Sequence, residues 1–214
     1  MKERKKIIFL GKSDKFIKTF DKLFECKLPD IISWRDCRQL DNENINNKLI
    51  NPDFLVVCGY DYGSGLYSLD KHIKANVLNP LSVIEKITGP NTIIIYIDTE
   101  DSPCVTTYSR YRFAKNKLAC ELNKYGDLYK RVILSAMVDS NGKADVHGNT
   151  ATNFCFNLLI NLKLIKTINP DELSDIIYKA IHLNSAAHPK ALTGKYLNIK
   201  RSIFLDRFLR FFCG

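Results

Sequence analysis

The stretch Asn51-Pro52-Asp53-Phe54-Leu55-Val56-Val57-Cys58-Gly59 decides how this chain is read. A turn signal, Asn51-Pro52-Asp53, gives way to five apolar residues and then to a glycine. An apolar run this short, closed by turn chemistry at both ends, is the mark of a strand buried on both faces, as parallel sheets require. The residues just after such a strand lie where an open parallel sheet binds its ligands.

The same pattern recurs on either side. Upstream, Lys6-Ile7-Ile8-Phe9-Leu10 is a short buried strand closed by Gly11, and Asp14 to Cys26 carries Phe16, Ile17, Phe20, Leu23 and Phe24 at helical spacing. Asp30-Ile31-Ile32-Ser33-Trp34 reads as a second strand, and the polar, Asn-rich stretch from Leu40 to Ile50 as a weak helix or loop. Downstream, Leu69 to Ile87 reads as a helix, Thr92-Ile93-Ile94-Ile95-Tyr96-Ile97 as a strand, Tyr108 to Tyr125 as a helix and Lys130 to Ser135 as a strand. The apolar run Phe154 to Leu164 suits either state. Pro170 and two acids open a helix that runs to His182. Lys195 to Ile199 reads as a late strand and Ser202 to Cys213 as a terminal amphipathic helix. Short strands alternating with longer amphipathic segments predict an α/β fold, a Rossmann-like doubly wound parallel sheet with a reduced C-terminal substrate portion. The expected division is one domain over residues 1–200, its substrate portion within about 140–200, and a basic helix over 201–214.

Composition fits that architecture. The chain has 214 residues, 45% of them apolar and 26% charged, which excludes a disordered chain, a coiled coil and a disulfide miniprotein. No apolar run reaches the roughly 18 residues of a membrane span, and Ile7-Ile8-Phe9-Leu10 is too short for a signal-peptide core. Seven scattered cysteines (Cys26, Cys37, Cys58, Cys104, Cys120, Cys155, Cys213) without a CxxC suit reduced, mostly buried thiols in a cytoplasmic protein. The four histidines are far apart in sequence, and Asp145-Val146-His147-Gly148 reads as a turn, so no metal site is expected. The net charge is +9, and residues 1–27 hold nine Lys/Arg against four Asp/Glu, more than half of it. The charge implies a phosphate-bearing ligand or lipid headgroups ahead of nucleic acid, because basic and aromatic residues do not interleave as they do in nucleic-acid modules. On the last helix Phe204, Leu205, Phe208, Phe211 and Phe212 share one face. That face suits a peripheral membrane contact, the chain's own core, or a second subunit in a homo-oligomer.

Read in order, these segments resemble the short-chain dehydrogenase/reductase superfamily, in its extended branch of nucleotide-sugar epimerases, dehydratases and reductases. Residues 51–59 are similar to that branch's "NPDVVINCA" segment. Ile73 to Pro80 is similar to its "NVxGT" helix, which puts Asn76 on the family's structural asparagine. Ile95-Tyr96-Ile97-Asp98-Thr99-Glu100-Asp101 is similar to "YISTD", and Phe113 to Glu121 to "YxxSKLxxE". Ile168 to Ile176 resembles "VxVDDLAxAI", and Tyr196-Leu197-Asn198-Ile199 the "YNI" strand. The resemblance implies NAD or NADP as cofactor, a nucleotide-linked sugar as substrate, and epimerisation, dehydration or carbonyl reduction in surface-polysaccharide synthesis. On the cofactor side it points to Gly11, Lys12, Ser13, Lys15, Cys58, Gly59 and Asn76.

The departures are as informative. The family's first turn is glycine-rich, because backbone must approach a pyrophosphate closely. Here the turn is Gly11-Lys12-Ser13-Asp14-Lys15, and one glycine remains. Lys12 and Lys15 can reach a phosphate, whereas Asp14 opposes one unless it caps the helix. The chemistry needs a tyrosine hydroxyl with a lysine one turn later, on the same helix face. The family register pairs Lys117 with Phe113, which has no hydroxyl. Tyr111 with Lys115 has the right side chains, two residues out of register, and Thr99 supplies a hydroxyl in either case. Tyr111 and Lys115 are thus either an acid/base pair or part of a solvated basic face shared with Arg110 and Arg112. Two functions follow: an NAD(P)-dependent nucleotide-sugar enzyme using Thr99, Tyr111 and Lys115 or Lys117, or a catalytically inactive member acting as a binding or scaffolding subunit, membrane-associated through its last helix.

Overall fold

The structure, a computed structural model, describes residues 5–24, 29–40, 47–99, 110–139, 141–143, 150–163 and 165–182. Five parallel strands form the main sheet: β1 (Ile7–Leu10), β2 (Asp30–Ile32), β3 (Phe54–Val57), β4 (Ile93–Thr99) and β5 (Tyr129–Leu134). Their order is β2-β1-β3-β4-β5. Leu10 lies beside Ile32 on one side and Val57 on the other, and Val57 lies beside Tyr96, so the strand ends that matter are level. Every side chain of β1 and β3 is buried. That two-sided burial is why these strands read as unbroken apolar runs rather than as alternation.

The helices are α1 (Asp14–Phe24), α2 (Leu69–Ile73), α3 (Asn79–Ile87), α4 (Arg110–Leu122), α5 (Thr150–Asn161) and α6 (Pro170–His182). Alternate strand residues feed two cores. Ile8, Leu10, Leu55, Val57, Ile94 and Tyr96 meet Val77, Val83, Ile84 and Ile87 around α3 and Leu118 and Leu122 of α4. Ile7, Phe9, Phe54, Val56, Ile95 and Ile97 meet Phe16 and Phe20 of α1 and Leu173 and Ile177 of α6. The sheet is therefore covered on both faces, the doubly wound arrangement expected. Burial of side chains of this size contributes about 1.5–3 kcal/mol each.

Several details differ from the sequence reading. The expected helix from Leu69 to Ile87 exists, but α2 and α3 are joined by a π-helical turn, Lys74–Leu78, that contains Asn76. The second strand stops at Ile32, because the chain turns into a 3-10 helix at Asp36–Arg38 and carries Trp34 off the sheet. The undecided run from Phe154 is helical as far as Asn161, the end of α5. A two-stranded parallel pair, β6 (Ala136–Met137) with β7 (Thr167–Ile168), was not foreseen, each strand being too short to show a period. Asp14 opens α1 as its first helical residue, with the Ser13 carbonyl receiving Ile17 N–H at 3.0 Å, so Asp14 is not the cap. The start expected at Pro170 is a capping box: Asn169 Oδ1 accepts from Glu172 N–H at 2.9 Å and Glu172 Oε2 accepts from Asn169 N–H at 3.0 Å. The expected strand at Lys195 to Ile199, the terminal helix, His147 and His188 lie outside the described residues. Among the described residues no helix is long and apolar enough to cross a membrane.

Candidate functional site

The carboxyl ends of β1, β3 and β4 open onto one edge of the sheet. At β1, Gly11 has φ +104°, a left-handed conformation, and its amide donates to the Ile32 carbonyl at 2.9 Å. A Cβ on Gly11 would sit 2.3 Å from Gly59 Cα, so β1 and β3 meet backbone to backbone just past their last paired residues. This explains why the first glycine is present. Lys12 is exposed, Ser13 and Lys15 are half-buried, and α1 begins three residues after Gly11.

At the end of β3, the Cys58 thiol donates to the Gly11 carbonyl at 3.5 Å, and burial pushes its pKa up to about 12. It is a packed thiol and no nucleophile at neutral pH. Asn76 spends its whole amide on the protein. Its Oδ1 accepts from Asp61 N–H at 2.7 Å and Trp34 Nε1–H at 3.2 Å, and its Nδ2 donates to Ser64 Oγ at 2.6 Å and the His72 carbonyl at 3.3 Å. With two donors and two acceptors used, Asn76 ties the loops after β2 and β3 to the π turn and has none left for a ligand.

The β4 end meets α4. Thr99 Oγ1 and the Tyr111 hydroxyl are 2.8 Å apart. One turn along, Lys115 is 6% exposed, with Nζ donating to the Ile97 carbonyl at 2.9 Å and lying 5.0 Å from the Tyr96 ring centre and 5.9 Å from that of Tyr111. Thr99, Tyr111 and Lys115 are thus brought together, and the solvated-face alternative does not hold for Arg112 or Lys115, both buried. Phe113 is 49% exposed and Lys117 is exposed, so the register that resembles the family motif points away from the sheet. Lys117 is corrected out of the site: two residues from Lys115, it falls on the far side of the helix. Burial raises the Tyr111 phenol above its usual range, with the Thr99 hydrogen bond working against it, and burial lowers the Lys115 amine.

Three further groups lie beside this site; the sequence marks the Asp61-Tyr62-Gly63-Ser64-Gly65 loop, after a strand end, as either a pocket lining or a connection, and does not mark Tyr60 or the Asp98 cluster. Tyr60 and Tyr62 flank Tyr111, with ring centres 4.6 Å and 6.1 Å away. Behind Tyr60 lies a chain of hydrogen bonds. Ser64 Oγ donates to the Asp61 carbonyl at 2.5 Å. His72 Nδ1 lies 2.9 Å from Ser64 Oγ and 3.2 Å from the Ser64 carbonyl, and its Nε2 lies 3.1 Å from the Tyr60 hydroxyl and 3.2 Å from the Arg110 carbonyl. The third group is ionic. Asp98, wholly buried on β4, accepts from Arg112 Nη1 at 3.1 Å and from Arg131 Nε at 2.8 Å and Nη2 at 2.5 Å. Arg112 Nη1 also donates to the Thr99 carbonyl at 2.5 Å, fixing α4 to the strand end that bears Thr99. Its sequence signal was a carboxylate inside an otherwise apolar strand.

No family model and no curated protein matches the sequence. Solved structures do match. A dTDP-4-dehydrorhamnose reductase from Bacillus anthracis str. Ames, in complex with NADP, matches at TM-score 0.56 and 12% identity, covering 86% of this chain and 73% of that one. The L-threonine 3-dehydrogenase of Trypanosoma brucei matches at 0.56 and 13%, covering 84% and 71%. A GDP-6-OMe-4-keto-L-xylo-heptose reductase from C. jejuni matches at 0.52 and 9%, covering 85% and 74%. At these identities the likeness is one of fold, and that fold is the Rossmann-like doubly wound parallel sheet expected from the sequence.

Proposed function

We propose that this chain is an NAD(P)-dependent reductase of the epimerase/dehydratase type, acting on the keto group of a nucleotide-linked sugar. The observation that carries the reading is the Thr99–Tyr111 hydroxyl pair at 2.8 Å with Lys115 on the same helix face, at the carboxyl end of β4. Two of the similar structures are sugar-nucleotide reductases, which supports the substrate class.

The direction of the chemistry follows from the phenol. Burial raises the Tyr111 pKa, so at neutral pH the hydroxyl is protonated and serves as a general acid. Thr99 polarises a substrate carbonyl by donating to its oxygen while Tyr111 delivers a proton to the same oxygen. Lys115, held on the Ile97 carbonyl with Nζ 5.9 Å from the Tyr111 ring centre, shares the phenol's helix face.

An NAD(P) dinucleotide fits this edge in part. Thr99, Tyr111 and Lys115 would hold its reactive end and exposed Lys12 is available to a phosphate, but Gly59 lies under the Trp34 ring and Gly11 against Gly59, so the glycine backbone there is not bare. After β2 the chain runs through Ser33-Trp34-Arg35, and the first carboxylate beyond the strand is Asp36, which opens the 3-10 helix. When bound, the cofactor supplies the hydride. Purified protein should oxidise NADPH or NADH in the presence of a dTDP- or GDP-linked 4-keto sugar. Tyr111→Phe should lower kcat about 10²- to 10⁴-fold with the fold intact; a variant with full turnover refutes the assignment. The rival reading, a binding subunit without catalysis, draws on the single remaining glycine of the phosphate turn and gains if neither cofactor is consumed.

A further inference from the structure

A general acid leaves a charge behind. Once Tyr111 has given its proton to a substrate oxygen, its phenolate stands in the crevice at the end of β4 and needs hydrogen-bond donors there. The nearest groups are committed elsewhere. Thr99, whose Oγ1 lies 2.8 Å from the Tyr111 hydroxyl, has one proton, and the proposed function directs it to the substrate carbonyl. Lys115 Nζ donates to the Ile97 carbonyl at 2.9 Å, and the Tyr60 hydroxyl lies 3.1 Å from His72 Nε2. Tyr62 differs. Its ring is nearly parallel to that of Tyr111, at 15° with centres 6.1 Å apart, and its hydroxyl is hydrogen-bonded to the Tyr111 hydroxyl. As a residue Tyr62 is 58% exposed, yet burial pushes its phenol up to about 12. Its hydroxyl end is therefore turned inward, and it stays protonated, and so a donor, throughout the neutral range.

We propose that Tyr62 is a positioning residue for Tyr111: its hydroxyl donates to the Tyr111 oxygen, leaves the Tyr111 proton to the substrate, and holds the phenolate that proton transfer creates. The proposal rests on the reading of Thr99, Tyr111 and Lys115 as a reductase site. In the step, the Tyr111 O–H bond breaks and a substrate O–H bond forms. Tyr62 keeps its own proton as a donor to the phenolate until a proton from solvent restores Tyr111. The loop is built to present this donor. Asp61, just before Tyr62, gives its N–H to Asn76 Oδ1 at 2.7 Å, and its carboxylate accepts from Arg38 Nη2 at 2.8 Å and from Gly63 N–H at 3.1 Å. The backbone on both sides of Tyr62 is thus fixed by hydrogen bonds. Tyr60 packs edge-on against both other rings, with centres 5.0 Å from Tyr62 and 4.6 Å from Tyr111. A donor held in this way needs no reorganisation when the charge develops, which is where a hydrogen bond contributes most to a rate.

Two measurements test this on the full-length chain. In the free protein, isotope-labelled at tyrosine Cζ for magnetic resonance, Tyr62→Phe should move the Tyr111 signal, assigned by its loss in Tyr111→Phe. The Tyr96 signal should stay in place, because that hydroxyl donates to the Lys115 carbonyl at 3.1 Å. In turnover of a dTDP- or GDP-linked 4-keto sugar with NADPH or NADH, Tyr62→Phe should lower kcat about 10- to 10²-fold, the worth of one hydrogen bond to a charged group, with KM little changed. Phenylalanine keeps the ring, so a role in packing or in contacting the sugar predicts no such loss. Added to Tyr111→Phe, Tyr62→Phe should cost nothing further, since it acts through the missing hydroxyl. An unmoved Tyr111 signal overturns the proposal, as does a Tyr62→Phe protein with wild-type kcat, or one that lowers the residual turnover of Tyr111→Phe by the same factor as it lowers wild type. An active wild type with an unaffected Tyr62→Phe removes this proposal alone. A wild type that reduces no keto sugar removes the reductase reading, and the role of Tyr62 with it.

Discussion

Asp98→Asn isolates the ionic cluster behind the site. The wild-type carboxylate has no solvent exposure and receives three guanidinium hydrogen bonds, from Arg112 at 3.1 Å and Arg131 at 2.8 and 2.5 Å, while Oδ1 also takes the Thr99 amide at 2.8 Å. Asparagine keeps the shape, removes the charge and turns one acceptor into a donor that faces a guanidinium. Arg112, with a side chain 6% exposed, is then a buried cation without its counter-ion. Breaking a buried pair in this way costs about 3–5 kcal/mol, a large part of the roughly 5–15 kcal/mol that holds a domain folded. With a urea slope of about 2 kcal/mol/M, the unfolding midpoint should fall by about 1.5–2.5 M at unchanged slope. Urea unfolding followed by circular dichroism measures both. Because Arg112 also holds the Thr99 carbonyl, turnover should fall as well. Asp98→Leu combined with Arg112→Met and Arg131→Met should recover most of the lost stability, since replacing all three members leaves no unpaired charge. An Asp98→Asn protein within about 1 kcal/mol of wild type would refute the view that this carboxylate neutralises the cluster.

Asn76→Leu should cost about 3 kcal/mol or more, because it strands the Asp61 amide, the indole N–H and Ser64 together; thermal unfolding that matches wild type would contradict it. Gly11→Ala should be worse than a simple glycine replacement. It combines a left-handed φ of +104° with a Cβ 2.3 Å from Gly59 backbone, and soluble yield and melting temperature should both drop. Lys115→Met tests the buried amine. Burial lowers the folded pKa below the usual lysine value of 10.5, so above that lowered pKa the unfolded chain binds more protons. Wild-type stability therefore rises with pH between the lowered pKa and about 10.5, by at most about 1.4 kcal/mol per pH unit. Lys115→Met lacks this rise, so its stability relative to wild type should decline with pH across that window; a gap that widens in its favour would refute the assignment.

The strands were legible because they are buried on both faces. Runs such as Phe54 to Val57 and Ile93 to Ile97 have no polar interruption and end in turn residues. The crevice was legible to the extent that it follows strand ends. What the pattern could not give was the rotation of α4. Hydrophobic reasoning turns Phe113 inward and the cations outward, in agreement with the family-like register on Lys117. The protein does the reverse, because Asp98, itself buried by β-strand pairing far away in sequence, makes an inward Arg112 favourable. Trp34 was read as part of a strand for a related reason: nothing local shows that Gly59, a residue of another strand end, is bare enough to receive an indole.

The inverted polarity of α4 also bears on the order in which the chain folds. A helix guided by an apolar stripe can dock on a loose hydrophobic cluster at any stage. The α4 segment instead buries Arg112 and Lys115 beside Ala114, Leu118 and Leu122, and leaves Phe113 in water. Its cations find their acceptors, Asp98 and the carbonyls of Ile97 and Thr99, once β4 has been fixed in the sheet. Docking of α4 would then follow strand pairing, and substitutions at Arg112 should change the unfolding rate far more than the folding rate, with φ-values near zero, while substitutions at buried Val56 and Ile95 should slow folding. Tyr111 and Lys115 would be among the last parts of the molecule to assemble and the first to open.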